Sequence, residues 1–173
     1  MSYAGEKFIL DADSHLMELP DFLSRHADPA VRDLMPSFEF ERLTVAGVRF
    51  GGDAGLPEHP PETVETLTSL GDRITWGPKW HDALGSFNGG ERTIALDLLG
   101  FKRQVIFSSF CAGKVFDCEE SLRYPTARAH NRAMGEFCSA DPRLFGVAMV
   151  PLDDPAAAVL EIKQCIKEGL KSV

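Results

Sequence analysis

Three polar side chains that can bind metal follow a short apolar run near the start of the chain. Asp11, Asp13 and His15 come after Phe8-Ile9-Leu10 and alternate with small residues. Since successive side chains of a strand point to opposite faces, the three are predicted to share one face. A carboxylate oxygen and an imidazole nitrogen two residues apart can both bind one divalent cation. Asp13 and His15 are therefore candidate metal ligands, and Asp11 is a candidate supporting carboxylate behind them.

The same residues also suit a turn that ends the strand, since Asp and Ser often bond to their own backbone in turns. That interpretation stays open for an isolated D-x-H motif. Three potential ligands beside one apolar strand favour the metal site over the turn.

Two further residues are candidate substrate contacts. Ser108 follows a second predicted strand, and His81 lies between Trp80 and Asp82. No G-x-S-x-G motif surrounds Ser108, so we expect it to line a pocket and not to act as a nucleophile. The remaining candidates are predicted to have structural or surface roles: Glu18 in a salt bridge within its turn, His26 and His59 in local hydrogen bonds, His130 on the surface or in packing, and Arg49 and Arg73 as surface charges.

The apolar periodicity predicts four strands, with one helix between each strand and the next. The strands are expected at 7–11, 104–107, 144–150 and 170–173, and the helices at 91–99, 121–140 and 155–169. Gly100 is predicted to stop the first helix and Asp154 to cap the last. Residues 20–90 are predicted to be an insertion or lid after the first strand, with a short strand at 44–50.

Strands that alternate with helices favour an α/β fold with parallel strands and right-handed crossovers. A last strand with no helix after it leaves one flank of a parallel sheet open, which is rare. We therefore expect residues 1–173 to form a single partial-barrel domain, the amino-terminal half of a TIM-like (β/α)8 barrel. An exposed last strand also predicts association into a homo-oligomer.

The composition is that of an ordinary globular domain, with 44% hydrophobic residues in 173. A net charge of −8 and a pI near 5.1 argue against nucleic acid or an anionic membrane as a partner. The chain contains no apolar run long enough to span a bilayer, and its start has no signal-peptide pattern, so a cytoplasmic protein is expected. The four cysteines are widely spaced and are expected to be reduced.

Residues 10–20, with the sequence LDADSHLMELP, resemble the opening strand of the amidohydrolase-related family, in the branch of aminocarboxymuconate semialdehyde decarboxylase. Later segments are similar in the same order: Asp97, Gly100, Val105 and Ile106, then residues 131–151 and 154–170. The family commonly has H-x-H in its first strand, and this chain has Asp13 at the position of the first His. An oxygen donor there moves metal preference towards manganese or magnesium.

The resemblance implies one divalent metal ion at the carboxyl ends of the barrel strands, zinc first, with manganese or magnesium as alternatives. It implies further ligands on later strands, expected beyond Val173. It also implies a small-molecule substrate and one of two reactions: hydrolysis of a carbon–nitrogen or ester-like bond, or non-oxidative decarboxylation of a small organic acid. The sequence does not choose between them.

Two alternatives from other classes remain. Asp11 and Asp13 also resemble the opening motif of haloacid dehalogenase-like phosphatases, as nucleophile and acid or base. Against this, His15 stands where that family has Thr or Val. A non-catalytic half-barrel fragment or subunit is the other alternative, because a metal site needs about four donors.

Overall fold

Three parallel strands in the order β1-β2-β3 form the sheet on which the rest of the chain is built. A computed structural model describes residues 2–39, 49 and 57–173. The strands are β1 (Leu10–Leu16), β2 (Arg103–Ser108) and β3 (Leu144–Gly146). A parallel bridge between Val147 and Ser172 continues the sheet beyond β3.

The described part of the chain contains six α-helices. They are α1 (Phe22–His26), α2 (Pro61–Thr68), α3 (Gly89–Leu99), α4 (Cys111–Asp117), α5 (Glu120–Ser139) and α6 (Pro155–Lys167). Short 3-10 helices lie at Arg32–Leu34, Gly71–Trp76 and Trp80–Asp82. The helices α1, α2 and α3 lie between β1 and β2 in the chain, and α4 and α5 lie between β2 and β3.

The sheet has a buried face and an open face. Leu16, Ile106 and Leu144 are buried against the helices, where Leu96 and Met134 complete the core. The open face carries Val105, Phe107 and Phe145, and two cations lie over the ring of Phe145, those of Arg103 at 5.2 Å and Lys171 at 4.3 Å. The two faces follow from the alternation of side chains along each strand.

A β-bulge interrupts this alternation in β1. Asp11 pairs with Gln104 and Ser14 pairs with Ile106, so three steps along β1 match two steps along β2. One extra residue in a strand shifts every later side chain to the other face. Asp11 and Ser14 consequently both face the helices, whereas His15 lies on the open face beside Phe107.

The predicted α/β class with parallel strands is confirmed, and so are most helix bounds. Asn88 accepts a hydrogen bond from the Glu91 N–H at the start of α3, and Gly100 ends that helix in the left-handed region with φ 73°. Asp154 caps α6 by accepting from the Ala156 and Ala157 N–H groups. All four cysteines are free thiols, as predicted.

Several predicted bounds are wrong. The first strand runs over Leu10–Leu16 instead of 7–11, because its pairing with β2 continues to Ser108. The helix α4 is absent from the sequence prediction. Beyond Gly146 the third strand has only the bridge of Val147, and Ser172 alone represents the predicted fourth strand. The predicted strand at 44–50 lies outside the described residues except for Arg49, which forms an antiparallel bridge with Glu58.

None of the helices in the described ranges is long and apolar enough to cross a membrane. The complete half barrel, the division into a single domain with a lid, and the homo-oligomer stay predictions.

The contact between α3 and α5 gives a test of the fold. A Cβ on Gly89 would overlap the carbonyl oxygen of Phe137, which is backbone and cannot move away alone. Gly89→Ala is expected to lower the free energy of unfolding by about 2 kcal/mol, as for other overpacked sites. Denaturant titration measures this change.

Gly113→Ala is the matched control, since Gly113 is also helical and its Cβ would meet only Asp117 Oδ2 at 3.6 Å. This variant should be neutral or more stable by up to about 1 kcal/mol, because Ala favours helix over Gly. Equal stability of the two variants would contradict the close packing of α3 on α5.

Candidate metal site

Asp13 and His15 lie side by side at the carboxyl half of β1. His15 Nε2 is 3.5 Å from Asp13 Oδ1, and the two side chains are 41% and 88% exposed. On the other side of the ring, Nδ1–H donates to the carbonyl oxygen of Ser108 at 3.0 Å. A neutral imidazole with its proton on Nδ1 has a lone pair on Nε2, which is the form that binds metal.

The spacing of this pair suits two ligands of one ion. Two donors at about 2.0–2.1 Å from a tetrahedral ion are about 3.4 Å apart. A second His–carboxylate pair in the chain provides a contrast: His26 Nε2 and Glu136 Oε2 are 2.7 Å apart, the distance of a direct hydrogen bond. The residues Asp13 and His15 therefore fit a divalent cation as two neighbouring donors.

The pair is only part of a coordination shell. Over residues 2–39, 49 and 57–173, no cluster of three or more His, Cys, Asp or Glu side chains is arranged to hold an ion. A catalytic zinc site normally has three protein ligands and one open position. Among the described residues, Asp13 and His15 therefore form a pair of donors without a third such side chain beside them.

Asp11 does not share the face of Asp13 and His15, so this detail of the sequence prediction is wrong. The bulge turns its carboxylate towards the helices, where Oδ2 accepts from Gln104 Nε2 at 3.0 Å. Its Oδ1 accepts from the backbone N–H of Asp13 at 3.1 Å. Asp11 thus supports the backbone at the bulge.

The phosphatase alternative is not favoured by this arrangement. It requires the carboxylates of Asp11 and Asp13 to flank one phosphate. The structure places them on opposite faces of β1, with Asp11 bonded to the buried Gln104.

Arg92 on α3 holds β1 from the helix side. Its guanidinium donates to Ser14 Oγ at 2.9 Å and to the His15 carbonyl at 2.7 Å, and its Nε donates to the Gly85 carbonyl. Only 7% of the residue is exposed, and this burial lowers the pKa of Arg92 to about 10. The group therefore remains a cation at neutral pH and fixes the backbone of the candidate ligand.

Glu18 is fully buried, and the predicted salt bridge within its turn is wrong. Its carboxylate accepts from three successive backbone N–H groups, those of Ser109 at 3.3 Å, Phe110 at 3.0 Å and Cys111 at 2.9 Å. Burial raises the pKa of Glu18, and the backbone hydrogen bonds oppose that effect. The side chain joins the end of β1 to the loop after β2.

His81 and His59 form the next layer of this scaffold. His81 is 4% exposed, and its Nε2–H donates to the Glu18 carbonyl at 2.9 Å. His59 Nε2–H donates to the His81 carbonyl at 2.8 Å, and His59 Nδ1–H donates to Glu91 at 2.7 Å. The structure thus gives His81 a backbone contact, and its predicted role in substrate binding remains untested.

A cavity of about 320 Å³ runs along β1 beside the candidate ligand. His15, Ser14 and Asp11 line it together with Leu70, Ile74 and Trp80, which come from the segment between α2 and α3. Trp80 has φ 60°, which is unusual for a residue other than Gly, and its ring is stacked on Phe110 at 6.1 Å between centroids. An aromatic wall therefore lies at the carboxyl ends of β1 and β2.

The other residues singled out in the sequence have structural contacts. Ser108 contributes its carbonyl to His15, and its role in substrate binding stays a prediction. His26 is hydrogen-bonded to the Phe22 carbonyl and Glu136, and Arg49 pairs with Glu58. His130 is fully buried and not on the surface, and burial lowers its pKa to about 4.

Sequence reasoning missed Arg92 and gave Glu18 too little weight. Arg92 lies on the same helical stripe as Ala95, Leu96 and Leu99, at spacings of three, four and seven. A charged residue on the apolar stripe of a helix indicates a buried cation with polar partners, and the sequence alone shows this pattern. Glu18 offers no such signal, because its partners are more than 90 residues away in the chain.

Comparison with known proteins places the fold. Neither a protein-family model nor a curated protein matches the sequence. The fold is similar to that of an amidohydrolase from Mycobacterium avium subsp. paratuberculosis K-10, with a TM-score of 0.59 and 17% sequence identity. The match covers 95% of this chain and 47% of the amidohydrolase, so this chain spans about half the length of that protein.

The His59–Glu91 pair generates a pH prediction. Burial opposes protonation of His59, but the hydrogen bond and the charge of Glu91 outweigh it and raise the pKa above the ordinary 6.5. A raised pKa in the folded state stabilises the protein below the unfolded value, and this contribution is lost as pH rises through the folded value. The unfolding free energy lost in His59→Gln should therefore be larger near pH ~5 than near pH ~8.

Denaturant titration of both proteins at the two pH values measures this difference. Glu91→Gln is the control, since His59 then lacks the carboxylate that raises its pKa. In that background, the effect of His59→Gln should depend much less on pH. A loss that grows towards alkaline pH would contradict the charged pair.

Proposed function

We propose that the chain is a metal-dependent enzyme of the amidohydrolase superfamily that acts on a small molecule. Asp13 and His15 would hold one divalent ion, zinc first and manganese or magnesium as alternatives. The reaction would be hydrolysis or non-oxidative decarboxylation. The fold shared with the Mycobacterium amidohydrolase supports the superfamily at a coarse level.

One observation carries the proposal: His15 Nε2 and Asp13 Oδ1 are 3.5 Å apart at the carboxyl half of a parallel strand, while His15 Nδ1–H is bonded to a backbone carbonyl. In α/β barrels the catalytic groups lie at the carboxyl ends of the strands. A backbone carbonyl on the far nitrogen is also one of the common partners of a metal-bound His.

A bound divalent ion would polarise a substrate oxygen or lower the pKa of a bound water. The chain itself would supply the oxygen donor of Asp13, the nitrogen donor of His15 and a cavity with an apolar wall. Trp80, which lines the cavity and is stacked on Phe110, would exclude water on one side of a bound substrate. The remaining ligands are expected from later barrel strands, as the family resemblance implies.

Zinc binding tests the proposal directly. The purified protein is expected to bind Zn²⁺ in calorimetric titration, and His15→Ala and Asp13→Ala are each expected to abolish or strongly weaken this binding. The reason is that each variant removes one of two donors spaced for a shared ion. With only two donors from the described residues, binding by the unaltered protein is expected to be weak.

His26→Ala is the matched control, because His26 also bonds a backbone carbonyl through Nδ1 and faces a carboxylate through Nε2. Its 2.7 Å contact is too short to be shared with an ion, so zinc binding should be unchanged. The proposal fails if zinc binding is lost equally in all three variants or in none.

A further inference from the structure

We propose that Glu18 is a positioning residue, which sets the imidazole of His15 for metal binding by fixing the peptide group between Ser108 and Ser109. The inference rests on the proposed function and extends it to a residue that touches neither metal nor substrate.

The first link is the set of hydrogen bonds between the Glu18 carboxylate and the residues that follow β2. The carboxylate has no exposed surface and accepts three backbone N–H groups in a row, from Ser109, Phe110 and Cys111. Ser109 Oγ also donates to the Leu16 carbonyl at 2.7 Å. The start of this loop is thereby fixed to the end of β1 from two directions.

The second link is the planarity of one peptide group. The Ser109 N–H that Glu18 binds and the Ser108 carbonyl that His15 binds belong to the same peptide unit. In a trans peptide these two groups point in opposite directions within one plane. Holding the N–H towards Glu18 therefore turns the carbonyl away from Glu18 and towards the ring of His15.

The third link is the choice of tautomer. A carbonyl oxygen only accepts hydrogen bonds, so its contact at 3.0 Å requires the proton of His15 to be on Nδ1. The lone pair of the neutral ring is then on Nε2, which faces Asp13. Rotation of the 108–109 peptide would remove this acceptor, and the ring would be free to carry its proton on Nε2.

A carboxylate suits this task better than a neutral isostere. Two oxygens with several lone pairs accept three N–H groups, whereas the amide of Gln has only one oxygen, and its NH2 group would face backbone donors. In Glu18→Gln at least one of the three N–H groups is expected to lose its partner. The peptide next to Ser108 is bound through the longest of the three contacts, 3.3 Å, and should be released first.

The test measures the tautomer of His15 in the metal-free protein. Two-bond nitrogen–proton correlation spectra identify which ring nitrogen carries the proton at a pH where the ring is neutral. The unaltered protein should have the proton on Nδ1, and Glu18→Gln should shift a substantial fraction to Nε2. The Zn²⁺ affinity should fall by about tenfold or more, the scale typical of residues that orient a ligand.

Glu161→Gln is the matched control. Glu161 is also fully buried and accepts from side chains, those of Arg128 at 3.1 Å and Asn131 at 2.9 Å, on the α5–α6 side of the protein. It should lower stability comparably while leaving the His15 tautomer and zinc affinity unchanged. If Glu18→Gln does not fold, Glu18→Asp, which keeps the charge but shortens its reach, is measured in its place.

The outcomes separate the two proposals. A folded Glu18 variant with the proton of His15 still wholly on Nδ1 would overturn the positioning role, whatever its zinc affinity. A tautomer shift as large in Glu161→Gln would also overturn it. A specific shift in a protein that binds no zinc would uphold the positioning role and overturn the proposed metal function.

Discussion

The burial of the Glu18 carboxylate against three backbone N–H groups is the constraint on which the candidate site depends. It joins the end of β1 to the loop after β2. Through its own carbonyl, Glu18 also accepts from His81 and so connects this loop to the segment before α3. An N–H group that loses its partner in this partly buried segment would destabilise the protein, so all three donors favour the same arrangement.

The two faces of the strand β1 have different roles. Its helix side meets a buried guanidinium, with Arg92 bonded to Ser14 and to the His15 carbonyl. Its open side presents Asp13 and His15 to solvent, with 88% and 41% of their side chains exposed. The backbone is therefore held from behind while the two candidate ligands remain accessible, an arrangement that would pre-organise a metal site.

The sequence predicted those features that local chemistry determines. The bounds of α3 and α6 follow from capping by Asn88 and Asp154 and from the left-handed conformation of Gly100, all of which act within four residues. The candidate pair Asp13 and His15 was found for the same reason. The bulge could not be found, because it depends on pairing with β2 some 90 residues later, and this moved Asp11 to the other face.

The single extra residue in β1 also decides which substitutions this strand tolerates. In a regular strand residues 11, 13 and 15 would share one face, so a buried contact of residue 11 and exposed side chains at 13 and 15 could not occur together. The bulge between Asp11 and Ser14 breaks that dependence. Side chains at positions 13 and 15 can consequently be exchanged without altering the side-chain contacts that Asp11 and Ser14 make beneath them.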